Sequence, residues 1–140
     1  METTVSPKLD FLVLVAAFAT SEGFFVEGSV PQRCANPTDL RFAGQEGSVP
    51  SQYGKPVPFA QFKDVGTGIA AAVRQMCAYM QKGFSLRKLV YTWAPPTGED
   101  GGNNSALYLT ETIRRIKAAS GVDIDPDTPL TAYLHIERIP

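Results

Sequence analysis

From Leu9 to Phe18 the chain is almost continuously apolar. Leu9, Leu12, Val13, Ala16, Ala17 and Phe18 recur at helical spacing, and Phe11, Leu14 and Val15 widen that face nearly all round. A helix apolar on every side belongs in a core. Ser6 followed by Pro7 predicts its start, because a serine oxygen caps free N–H groups and proline fits where no N–H is needed. Gly23 predicts its end in a left-handed conformation. Residues 26–63, with Pro31, Pro37, Pro50, Pro56 and Pro58, predict a long loop region. Within it Leu40–Phe42 and Phe59–Phe62 read as short strands paired into a small sheet.

Helical periodicity returns at Gly66. Ile69, Val73, Met76, Cys77 and Met80 share a face, and Gly83 stops it. Ser85 caps a helix in which Leu86, Leu89, Val90 and Trp93 follow i, i+3, i+4, i+7 until Pro95 and Pro96. Trp93 continues that apolar face and reads as core, with the wall of a site as the alternative. After the turn-rich TGEDGGNN stretch, Asn104 or Ser105 caps a helix to about Ser120. Ala106, Leu109, Ile113 and Ile116 face inward there, and Tyr108 lies off their line. Asp127 to Pro129 opens a last helical segment with Leu130, Tyr133 and Leu134. The expectation is a mainly α, α+β domain spanning residues 1–140, with about five helices and a small β inset after the first.

Composition narrows the function. A net charge of -1 gives no basic surface for nucleic acid. No apolar run approaches the roughly 18 residues that span a bilayer, so membrane insertion is not expected. The segment FLVLVAAFATSEGFF resembles a secretion signal with a cleavage-like Ala17-Phe18-Ala19, but Glu2 and Asp10 cancel the positive leader that such a signal needs. It is read as a retained helix. Cys34 and Cys77 are too far apart for a metal motif, and the single His135 leaves little to complete one, so no metal or organic cofactor is expected. His135 reads as a surface or packed residue. Two free thiols are the simpler reading of the cysteines, with a disulfide between them left open.

Glu22 is the odd residue on the first helix. A carboxylate at a helix C-terminus meets the negative end of the macrodipole, and Phe24 and Phe25 beside it would desolvate it. Both effects favour a protonated acid near neutral pH, the state that general-acid catalysis requires. A solvated terminal glutamate is the bland alternative.

Three ordered stretches then carry a resemblance. SEGFF at Ser21–Phe25, NPTDLRF at Asn36–Phe42 and WAPPTGEDGGNNSALYLTETI at Trp93–Ile113 are similar to motifs of small lysozyme-fold proteins of bacteriophages and bacterial genomes, thought to cut peptidoglycan glycan strands. FAQF at 59–62 and GVDIDPDTPL at 121–130 match further motifs of that lytic transglycosylase-like family, so the likeness runs nearly end to end. The resemblance implies that Glu22 is the catalytic acid and that Tyr108 hydrogen-bonds it. It also implies that Asn36, Asp39, Arg41 and Asn104 face the glycan. The family's N-P-G-N is here N-P-T-D, with Thr38 and Asp39 in place of glycine and asparagine. Threonine resists a positive φ that glycine permits, and Asp39 adds a carboxylate.

The activity implied is cleavage of the β-1,4 bond between N-acetylmuramic acid and N-acetylglucosamine by a single acid/base glutamate. The tyrosine match points to a lytic transglycosylase, in which the sugar's C6 hydroxyl closes a 1,6-anhydro ring. A muramidase of the same fold would need a second carboxylate, with Glu27, Asp39, Glu46 and Asp64 as candidates. The rival classes are a non-catalytic cell-wall-binding or virion structural protein and an enzyme of another amino-sugar polymer such as chitin. The expected partner is the glycan strand, met by a monomer. The implied setting is a phage virion, or host cytoplasm before delivery to the cell wall as an endolysin is delivered.

Overall fold

The computed structural model describes residues 9–96 and 103–134. Helix α1 spans Phe11–Ser21, and the carboxylate of Asp10 caps it by accepting the Leu12 N–H at 2.8 Å. Leu9 and Asp10 precede the helix, so it begins later than the Ser6-Pro7 signal predicts. Ser6 and Pro7 themselves lie outside the described residues, as do the linker residues 97–102 and His135. The helix is also less enclosed than its composition suggests. Leu14, Val15, Ala17, Phe18 and Ala19 are buried, whereas Leu12 and Ala16 face solvent.

A short helix α2, Val30–Arg33, follows; its serine cap and proline are both present in the sequence, but the loop-like composition around it hid it. Strands β1 (Ser48–Pro50) and β2 (Ala60–Phe62) pair antiparallel, with Val49 opposite Gln61. The expected partner, Leu40–Phe42, meets the other side of this segment only in an isolated bridge between Arg41 and Phe59. Ala60 N–H donates to the Leu40 carbonyl and Phe42 N–H to that of Pro58, but Pro56 and Pro58 have no N–H with which to extend the ladder.

Helix α3 (Val65–Gln81) is capped by Asp64, and α4 (Leu86–Trp93) by Ser85. Helix α5 (Ser105–Ser120) is capped by Asn104 and ends at the left-handed Gly121. Where the last helical segment is expected, the described residues form a single 3-10 turn, Leu130–Ala132, whose first N–H donates to the Phe84 carbonyl at 2.9 Å. Among the described residues the architecture is α+β, five α-helices and a two-stranded sheet, with β2 packed against α3. Helix α1 packs most extensively on α5 and also touches α3. Phe18, Leu14, Met76, Met80, Leu86, Leu89 and Ile116 form the fully buried centre, each worth about 1.5–3 kcal/mol of transfer free energy. Cys34 and Cys77 are both buried and free.

On α5 the inward face is rotated from the expected one. Ser105, Tyr108, Leu109, Thr112 and Ile116 are buried, and Ala106 is exposed. The buried hydroxyls are satisfied at short range, Ser105 Oγ by the Ala94 carbonyl and Thr112 Oγ1 by the Tyr108 carbonyl at 2.7 Å. Polar residues that bond back to the main chain are inexpensive to bury, which is why polarity misplaced this face.

Gly68, on the first turns of α3, sits against the Ala35–Pro37 loop. An added Cβ would overlap the Ala35 carbonyl oxygen and stand 3.0 Å from Pro37 Cδ. Gly68→Ala is therefore expected to destabilise the protein by roughly 1–3 kcal/mol through overpacking. A thermal melt checks this: a fall of roughly 3–10 °C is expected, and an unchanged Tm would mean the loop gives way freely.

Candidate active site

The end of α1 is built to present Glu22. Gly23 is left-handed at φ 83°, its N–H donates to the Thr20 carbonyl at 3.2 Å, and the Phe24 N–H donates to that of Ala19 at 3.0 Å. This paired closure is the Schellman arrangement, and it fixes Glu22 as the C-cap of α1. The turn sends Phe25 outward, 65% exposed, with its ring edge-on to Phe24. The expected shielding of Glu22 by Phe25 is thus lost, while Phe24 stays half-buried, and a second aromatic set lies on the α5 side. Phe18 lies beneath, its ring edge-on to Trp93 at 5.4 Å and to Tyr108 at 5.3 Å.

Tyr108 comes from the second turn of α5, and its hydroxyl donates to Glu22 Oε2 at 2.9 Å. Arg115, further along the same helix, donates to Ser21 Oγ at 2.7 Å and ties α5 to the end of α1. The residue that lay off the apolar line is therefore buried and reaches the acid. Burial, and next the charge of Asp39, raise the Glu22 pKa from 4.5 to about 8, against the lowering pull of the Tyr108 hydrogen bond and Arg41. Burial and the Glu22 charge likewise hold the Tyr108 proton well above its ordinary range, so Tyr108 stays a donor. With Oε2 occupied by the tyrosine, Oε1 is the oxygen left to carry a proton outward.

Glu22 opens into a cleft of about 580 Å³ that is also lined by Asp39, Arg41, Phe59, Trp93 and Asn103. Trp93 proves to be both readings at once: half-buried against Phe18, it walls the cleft, and its Nε1 donates to the Thr38 carbonyl at 2.9 Å. Arg41 lies 3.9 Å above the Phe59 ring and donates to the Val57 carbonyl at 2.8 Å, placing a cation on the cleft rim.

Two expected contact residues are scaffold instead. Asn36 is fully buried: its Nδ2 donates to the Leu40 and Ala60 carbonyls at 2.9 Å each, and its Oδ1 accepts the Leu40 N–H at 2.9 Å. Those bonds stitch the 36–40 loop to β2 and leave nothing to offer a sugar. Asn104 is exposed and engaged as the α5 cap, accepting the Leu107 N–H at 3.1 Å; its neighbour Asn103 is the one on the cleft. Gln75, Tyr79 and Thr92 also line the cleft from helices α3 and α4 with no motif to mark them, and Asn103, inside the 93–113 stretch, lines it from the loop just ahead of the α5 cap.

The loop also resolves the Thr38 and Asp39 departure. Thr38 is fully buried, and the positive φ falls at Asp39, at 59°. Aspartate and asparagine tolerate that conformation better than other side chains. Of the candidate second carboxylates, only Asp39 shares the cleft with Glu22. Glu46 and Asp64 line a separate groove at the start of α3, and Glu27 is exposed. Among the described residues, no group of three His, Cys, Asp or Glu side chains is placed to hold a metal ion, and no helix is long and apolar enough to cross a membrane.

The fold and site define an α+β domain with a half-buried, tyrosine-bonded carboxylic acid lining an open cleft. No protein-family model, curated protein or solved structure matches the chain.

Proposed function

We propose that the protein is a lysozyme-like enzyme that cleaves peptidoglycan glycan strands at the β-1,4 bond between N-acetylmuramic acid and N-acetylglucosamine. The observation that carries the reading is the 2.9 Å bond from Tyr108 to Glu22, whose carboxyl keeps its proton to about pH 8 beside an open cleft. Glu22 delivers that proton to the glycosidic oxygen as the bond breaks. Motif matching alone favours a lytic transglycosylase releasing 1,6-anhydromuropeptides. The hydrolytic alternative, a muramidase, is favoured by one specific feature, the second carboxylate Asp39 in the same cleft. A wall-binding or virion structural protein of this fold would have no need of a desolvated acid at the base of a cleft.

Digestion of purified peptidoglycan by wild type and Glu22→Gln, with mass spectrometry of the fragments, tests the reading. Fragments from wild type alone support it, and none from either leaves a binding protein. Tyr108→Phe is expected to lower kcat by roughly 10–100-fold with little change in KM, because the hydroxyl orients the acid rather than the sugar. An unchanged kcat would reduce Tyr108 to a packing residue.

A further inference from the structure

We propose that Asp39 is a second catalytic residue, the general base that activates a water molecule, so that the enzyme is a hydrolase. The inference rests on glycan cleavage through Glu22 and specifies the nucleophile.

Four observations converge on Asp39. Its side chain lines the cleft that Glu22 opens into, close enough for its charge to be felt there. Its backbone holds φ 59°, a conformation costly for most side chains, and persists in it because the surroundings over-determine it. Trp93 holds the Thr38 carbonyl, Asn36 holds both main-chain groups of Leu40, and the Asp39 N–H donates to the Asn36 carbonyl at 3.1 Å. Asp39 is thus clamped from both sides in sequence, as a reacting group must be.

The fourth observation concerns its charge. Asp39 Oδ1 is buried and finds no hydrogen-bond partner, so the ionised carboxylate is poorly solvated and gains by taking a proton. Burial accordingly raises its pKa from 3.8 to about 6, against the pull of Arg41, while Glu22 sits at about 8. Near pH 7 one carboxyl is therefore ionised and its neighbour protonated, which assigns base and acid.

The step balances without any further reactant. Water gives a proton to the Asp39 carboxylate, and its oxygen bonds the anomeric carbon of N-acetylmuramic acid. The bond from that carbon to the leaving oxygen breaks, and the leaving oxygen takes the Glu22 proton. One water is consumed, nothing is oxidised or reduced, and both carboxyls return to their resting states by exchange with solvent. Attack by water from the face opposite the leaving group inverts the anomeric centre.

The test is digestion of peptidoglycan in heavy-oxygen water by wild type and by Asp39→Asn, with mass spectrometry of the fragments and NMR of the newly released anomer. Asparagine accepts the left-handed backbone and removes a poorly solvated charge, so Tm near pH 7 should hold or rise and the comparison is one of chemistry. Wild type is expected to give reducing muramic acid ends that carry one heavy oxygen in the inverted anomer. Asp39→Asn should make that product at least about 10²-fold more slowly. Unlabelled 1,6-anhydro fragments from wild type would overturn the role of Asp39 while leaving glycan cleavage intact, as would a retained anomer or Asp39→Asn hydrolysing within threefold of wild type. An absence of any cleavage would remove the parent reading and this role together.

Discussion

Glu22→Gln is expected to lose glycan cleavage by about 10²–10⁴-fold or more while keeping its fold. Glutamine preserves the shape and can still accept the Tyr108 hydroxyl, now 2.9 Å from Oε2, but has no proton to deliver. The same residue should set the alkaline limit of activity, with kcat/KM falling as pH rises through about 8 and the acid ionises. Stability should respond with a definite sign. The folded state binds the Glu22 proton more tightly than the unfolded chain does, so this contribution is complete below pH 4.5 and declines as pH rises to about 8. The loss is on the order of a few kcal/mol. Asp39, raised from 3.8 to about 6, slopes the curve the same way over a lower window. Melting wild type and variant across pH 4–9 separates the two: Glu22→Gln should be flat between pH 6 and 8, where wild type declines, and should keep the lower slope. Identical pH dependence of Tm, or activity within threefold of wild type, would remove Glu22 from the mechanism.

What the chain disclosed in advance follows from how local each signal is. The end of α1 was legible because Gly23, just past the cap, dictates the turn locally, and Glu22 is fixed by that turn. Helices α3, α4 and α5 were legible from side-chain periodicity, with Ser85, Gly83 and Asn104 as punctuation. The pairing of β2 with Ser48–Pro50 was not, because strand partners are chosen by non-local contacts. The rotation of α5 was hidden for a different reason. Ala106 carries too little surface to orient a helix, and Ser105 and Thr112 look exposed until their hydroxyls are seen bonding to carbonyls one turn or one loop away. Tyr108 reached the candidate site by its motif, and its burial then became evident only with the packing of α5 on α1. Motif position could not tell a residue that touches a ligand from one that shapes the loop beside it. Asn36 and Asp39 lie three apart in the same tract, and one is sealed under the loop while the other faces the cleft.

That distinction makes Asn36→Ala the substitution with the largest expected effect on stability. The side chain of Asn36 spends three hydrogen bonds on Leu40 N–H, Leu40 C=O and Ala60 C=O, all in a fully buried setting. Alanine removes all three: the Leu40 carbonyl keeps the Ala60 N–H, but Leu40 N–H and the Ala60 carbonyl lose their Asn36 partner in a setting that water cannot reach, each at about 1–3 kcal/mol. The expected cost is about 3–5 kcal/mol, or a Tm lower by roughly 10 °C or more. Asn36→Asp should be no milder: it keeps an acceptor for Leu40 N–H but turns the two donated bonds into repulsion between a carboxylate and two carbonyl oxygens. Activity should fall too, but by loss of folded protein and of the Asp39 geometry, so the fraction that remains folded at low temperature should bind glycan with nearly unchanged affinity. A residue that contacted the sugar would behave in the opposite way, raising KM several-fold with Tm scarcely moved. Thermal melts together with KM measured well below the melting transition decide between them, and a stable Asn36→Ala with impaired binding would return Asn36 to the cleft.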